Sequence, residues 1–136
     1  MIIFKTKVKK FGGTSYKEVI KKARAVFHEI ERRSKRSVYL RSIYFGKEKI
    51  FLNLFWIHLN QKSPRDRLRR LKFLSCAFDL IENSRNKPLS KPNPKNKNEL
   101  LHRFGGVTKD NELFYIQIKE NLKTKRKDFI SVFPEE

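Results

Sequence analysis

Cysteine is almost missing from this chain: Cys76 is the only one. No internal disulfide can form and no cysteine-based zinc site can be built, which fits a reducing cytoplasm. No uninterrupted apolar run approaches the roughly 18 residues of a membrane span, and no signal peptide is recognisable, so neither membrane residence nor export is expected. Glycine is sparse, and Gly12-Gly13 and Gly105-Gly106 lack the spacing of a phosphate-cradling loop. The histidines, His28, His58 and His102, lie far apart with no carboxylate pair beside them, so neither a metal site nor a cofactor is expected. Acidic residues are scarce too. There are 14 Asp and Glu against 33 Lys and Arg, for a formal net charge of +19. Such a field attracts polyanions through phosphate neutralisation and counterion release, which makes nucleic acid the first partner to consider.

What is present suffices for a packed domain. The 136 residues fit one domain, and 38% are apolar, including twelve Phe. Residues 1–13 alternate loosely and end in Gly-Gly, which predicts an N-terminal arm or short edge strand. Ser15 and Glu18 form an S-x-x-E capping box, and Val19, Ile20, Ala23, Val26, Phe27 and Ile30 recur at helical spacing to about Ser34. His28 falls among these apolar residues, so a structural role is expected for it. Val38–Phe45 reads as a strand closed by a Gly46-Lys47 turn. The nearly continuous apolar run 49–57, KIFLNLFWI, fits a doubly buried strand better than a helix, although Ile50, Leu54 and Ile57 also match helical spacing. His58 follows at an element end, and either a structural or a functional reading is open for it.

A second helix is predicted over 63–84. Ser63 is its N-cap, Pro64 occupies the first position where its missing N–H costs nothing, and Leu68, Leu71, Leu74, Phe78 and Ile81 make its buried stripe. Arg65, Arg67, Arg69, Arg70 and Lys72 load its first half with cations. Placed there they oppose the helix dipole, so a phosphate-facing role competes with a simply solvated basic face. Residues 85–98, with three Pro, four Lys and four Asn, predict a polar loop. A three-stranded meander closes the chain over 99–134, with turns at 109–112 and 121–126.

Alternation in the meander separates two faces. Phe114, Ile116 and Ile118 form a core face, and Ile130 and Val132 can join it. Tyr115, Gln117 and Lys119 then line up about 7 Å apart on the other side, with Ser131 beside Gln117 between Phe129 and Phe133. Leu101 and Arg103 alternate with Leu100, His102 and Phe104, and either His102 or Arg103 shares the polar face. RNA can be cut without a metal because its 2′-OH is a built-in nucleophile. The protein must move the 2′ proton, stabilise the phosphorane and protonate the leaving 5′ oxygen. His102 supplies a group that titrates near neutrality, and Arg103, Lys119, Arg126 and Lys127 supply positive charge. Gln117, Tyr115 and Ser131 offer hydrogen bonds. Each has a blander reading: His102 as a half-buried strand residue, Lys123, Lys125, Arg126 and Lys127 as a solvated hairpin loop, and Tyr115, Gln117 and Ser131 as ordinary surface positions. On sequence alone the structural reading of His102 outweighs the catalytic one.

The segment HRFGGVTKDNELFYIQIKE…KRKDFISVFP resembles the end of the barnase–EndoU–colicin–RelE superfamily of metal-independent ribonucleases, in particular its short phage- and mobile-element-borne branch. The matching features are the His or basic residue entering a strand, the G-x-x-x-(D/N)-(G/N) hairpin, the F-x-(V/I)-Q-I-K strand and the closing K-x-F-(I/M)-S-x-(F/Y)-P strand. The basic helix DRLRRLKFLSCAFDLIEN is similar to the helix that precedes the sheet in that group. The resemblance spans residues 62–134. It implies an α+β fold in which N-terminal helices pack on a curved antiparallel sheet whose open face binds RNA. It carries over His102 or Arg103 on the first strand, Gln117 and Lys119 on the second, and Lys127 and Ser131 on the last. The catalytic set of that superfamily varies, so no position has a fixed role.

Two functions are therefore expected to compete. The first is a toxin-like endoribonuclease that leaves 2′,3′-cyclic phosphates, uses His102, Arg103, Lys119, Lys127 and Ser131 for chemistry, and has an acidic antitoxin or immunity protein as a second partner. Arg67, Arg69, Arg70, Tyr115, Gln117, Lys123, Lys125 and Arg126 would then bind the RNA. The second is a non-catalytic nucleic-acid-binding protein in which Tyr115, Phe129 and Phe133 stack bases.

Overall fold

A computed structural model describes residues 1–135. Eleven elements occur among them: β1 (Phe4–Lys5), α1 (Tyr16–Arg33), β2 (Tyr39–Ser42), β3 (Glu48–Phe51), α2 (Asn53–Asn60), α3 (Pro64–Leu71), α4 (Leu74–Asn83), β4 (Leu89–Asn93), β5 (Asn96–Val107), β6 (Leu113–Asn121) and β7 (Lys127–Pro134). The class is α+β. Four helices accompany one strongly curled, mostly antiparallel half-barrel sheet, ordered β1-β5-β6-β7-β3-β2, with β4 beside β5. Two short pairings are parallel, β1 with β5 and β3 with β7.

The sheet is built on the meander. In β6, Phe114, Ile116 and Ile118 are buried as their alternation predicts, and they meet Leu74, Ala77, Phe78, Leu80 and Ile81 of α4 and Val19, Ala23 and Ile30 of α1 in one core. Gly106 allows a close approach of helix and sheet, because a Cβ there would lie 2.7 Å from the Phe114 ring and 2.9 Å from Leu80. Ser15 caps α1 by accepting from the Glu18 N–H at 3.2 Å. His28, however, is not among the core residues: it is exposed and pairs with Glu31 at 2.9 Å.

Several elements differ from the sequence-based expectation. The run 49–57 is not one strand. It pairs with β2 and β7 only to Phe51, then Leu52 gives its N–H to Val38 and the chain turns into α2, which buries Phe55 and Leu59. The helix expected over 63–84 breaks between α3 and α4. The Lys72 carbonyl, which an unbroken helix would bond to Cys76, instead accepts from the Phe11 N–H at 2.8 Å, and Phe73 turns inward against Phe114. The segment 85–98 is not a loop. It holds β4 and the start of β5, paired from Leu89–Arg103 to Pro92–Leu100. β4 is exposed and occupies a sheet edge, where polar residues and a proline without an N–H are tolerated.

The last difference lies in β7. Ile118 pairs with Phe129 while Gln117 pairs with Ser131, so Ile130 is an extra residue in β7 and forms a bulge. Phe129 therefore faces inward and stacks on Phe55 at 5.0 Å, fully buried, which removes it from any base-stacking role. Ile130, expected in the core, turns instead toward α2.

Candidate nucleic-acid interface

The register decides which residues share the outer face. Leu89 is opposite Arg103, Arg103 opposite Gln117, and Gln117 opposite Ser131, so one row crosses four strands. A second row holds Tyr115 opposite Phe133, with ring centroids 5.7 Å apart. Beyond Asp128, α2 and α3 pack along β7 in place of another strand. Their side chains reach over that margin, so that His58, Lys62 and Arg70 join Arg103, Gln117 and Ser131 around a cleft of about 240 Å³. Ile130 and Phe133 complete its walls.

Local structure fixes these groups. In α3, Ser63 accepts from the Asp66 N–H at 3.3 Å, and Asp66 accepts from Arg69 and Arg70, each at 3.0 Å. Burial alone would raise the Asp66 carboxyl, but the hydrogen bonds from the two arginines outweigh it and hold the carboxyl below its usual range. Asp66 thereby directs Arg70 toward the cleft. The guanidinium groups of Arg70 and Arg103 lie 5.6 and 5.3 Å from the Phe133 ring centroid, and Arg103 also sits 6.0 Å from that of Tyr115. Burial, with the positive charges of Lys119 and Lys62, lowers the pKa of His58 below 6.5. A neutral imidazole among cations is a competent proton acceptor.

The residues expected to act from the sequence divide into three sets. Arg70, Arg103, Gln117 and Ser131 line the cleft; Tyr115 adjoins it through Phe133 and Arg103. Lys119 lies in electrostatic reach of His58 and forms an ion pair with Glu99 at 3.5 Å. Others remain on the periphery. Arg67 donates to the Lys62 carbonyl, and Arg69 lines a separate cleft with Lys10 and Arg65. Lys123 and Lys125 are exposed on the 121–126 hairpin, and Arg126 sits 4.0 Å over the Phe51 ring beside Asp128.

The third set, His102 and Lys127, is buried on the opposite face. Of the two alternatives on β5, Arg103 takes the outer face and His102 the inner one. The His102 side chain is 8% exposed, and its Nε2 lies 2.8 Å from Glu120 while its Nδ1 lies 2.7 Å from the Ser90 hydroxyl. The Lys127 side chain, 5% exposed, donates to Glu48 at 2.9 Å and lies 3.7 Å from Glu120. Ser90, His102, Glu120, Lys127 and Glu48 thus contribute one polar side chain from each of β4, β5, β6, β7 and β3. The Phe45 ring packs on both His102 and Lys127. This row laces the end of the sheet together, and the structure does not bring it to the cleft.

The sequence leaves His58 open between a structural and a functional reading and does not single out Lys62. The available signal was the i, i+4 spacing of a histidine and a lysine just before the arginine-rich helix. Among the described residues, no group of three or more His, Cys, Asp or Glu is placed to hold a metal ion, and no helix is long and apolar enough to cross a membrane. The chain matches no protein-family model, no curated protein and no solved structure.

Proposed function

We propose that the protein is a metal-independent RNA endonuclease of the barnase–EndoU–colicin–RelE type, acting from the outer-face cleft by 2′-OH transesterification. The observation that carries this reading is the gathering of an imidazole of lowered pKa, three cationic side chains, an amide and a hydroxyl around one cleft. The resemblance of residues 62–134 to that superfamily supports it, as does the net charge of +19.

The chemistry follows from the residues present. His58 takes the proton from the 2′-OH as the 2′ oxygen attacks phosphorus. Arg70, Arg103 and Lys62 neutralise the added charge on the phosphorane; Arg can hold two of its oxygens at once. Gln117 and Ser131 orient the phosphate by hydrogen bonding. As the P–O5′ bond breaks, the leaving oxygen takes a proton from the imidazolium of His58 or from Lys62. The products are a 2′,3′-cyclic phosphate and a 5′-hydroxyl. His58 thereby replaces His102 in the proton-transfer role. An acidic antitoxin or immunity protein is the partner this reading assigns to the same basic face.

The test is single-turnover cleavage of RNA in EDTA, with end-group analysis for cyclic phosphates. His58→Gln is expected to lose about 10²–10⁴-fold in rate, the usual span for a general acid or base. RNA that binds but stays intact with the unmodified protein would replace this reading with non-catalytic binding, which the Tyr115–Phe133 pair and its arginines favour on their own.

A further inference from the structure

A second hollow of about 190 Å³ opens beside the cleft. Its apolar lining comes from Leu89 and Pro92 of β4, Pro94 of the following turn and Leu101 of β5, and Lys91 of β4 lines it as well. Arg103 and Gln117 line both this hollow and the cleft, so the two are continuous across the Arg103–Gln117 pair. Leu89 is 52% exposed, outside the core, on an edge strand whose other side chains are Ser, Lys, Pro and Asn. Edge strands are usually kept free of exposed apolar side chains, so core packing does not account for Leu89.

We propose that this hollow is a nucleobase subsite, in which one unpaired base of a single-stranded RNA lies against Leu89, the prolines and Leu101 while its adjoining phosphate rests on Arg103. The inference rests on reading the cleft as an RNA site and adds the substrate class. A base has apolar faces and a polar edge, and the hollow combines apolar side chains with the polar Lys91, Arg103 and Gln117. The Gln117 amide offers both a donor and acceptor, which suits a Watson–Crick edge. That edge is free only in an unpaired base, so duplex RNA is excluded from the hollow. The chain's positive charge selects a polyanion over an uncharged apolar ligand, and the shared Arg103 fixes where its phosphate lies.

The experiment measures equilibrium binding of the full-length protein to a single-stranded 2′-O-methyl tetranucleotide, which has no 2′ proton to lose and is not cleaved. One abasic residue is moved through its four positions. One position is expected to weaken binding by about 5-fold or more, the worth of burying part of a base against apolar side chains, and the others far less. In Leu89→Ser, whose exposed site leaves folding intact by thermal melting, most of that penalty should vanish. A penalty equal at all positions, a penalty unchanged in Leu89→Ser, or a duplex bound as tightly as the single strand overturns the subsite while leaving the cleft reading in place. Failure of the intact tetranucleotide to bind at low salt overturns both.

Discussion

Replacing Lys127 with methionine isolates the buried polar row from the proposed chemistry. Met preserves most of the stem that packs on Phe45 but removes the ammonium that donates to Glu48 and to the Lys125 carbonyl. Glu120, 14% exposed, is then left to His102 alone, whereas Glu48, 50% exposed, can rehydrate. Removing one partner of a buried ion pair costs about 3–5 kcal/mol, and the half-exposed Glu48 places this case near the lower end, about 3 kcal/mol. For a domain of this size that corresponds to a fall of about 10 °C in Tm. The assay is thermal unfolding followed by circular dichroism at pH 7. Adding Glu120→Gln to Lys127→Met should recover much of the loss, because removing both charges is far cheaper than stranding one. A Lys127→Met protein that melts within about 2 °C of the original would refute the reasoning, since the row would then contribute almost nothing to stability.

Other consequences follow from the same geometry. His102→Ala should lose about 1–3 kcal/mol of stability through the stranded Glu120 acceptor, while cleavage per folded molecule stays unchanged; a selective loss of rate would restore His102 to the chemistry. The acid limb of the cleavage pH profile should have its midpoint below 6.5, because His58 with its lowered pKa stays a neutral base at lower pH than an ordinary histidine; a midpoint above 6.5 would assign the limb to another group. RNA affinity should fall by roughly 10³ or more between 50 and 200 mM salt if six or more phosphates are contacted, and a flat filter-binding series would remove the nucleic-acid reading. The Cys76 thiol, buried and pushed up to about 12 by that burial, should resist a thiol-reactive dye in the native protein and react only on unfolding.

Local signals were legible wherever one residue's chemistry decided the outcome. The Ser15 and Ser63 caps, the Gly46-Lys47 turn, the two hairpin turns of the meander and the inward face of β6 could all be read from the sequence, because capping, turn conformation and alternation act over a few residues. So could the basic character and the absence of a disulfide, which are matters of composition. Tertiary structure decided what depended on distant partners. The break at Phe73 needs the Phe11 N–H, 61 residues before the Lys72 carbonyl that it meets, and β4 needs the open edge of β5. The switch after Phe51 comes where β3 has run out of strand partners. Register determined the site itself. Because successive strand residues point to opposite faces, a single step separates Arg103 at the cleft from His102 in the buried row, and the bulge at Ile130 sets Phe129 inside and Ser131 outside. His58 and Lys62 reach that face only because α2 and α3 pack along β7, and no pattern within residues 53–71 states where that margin lies.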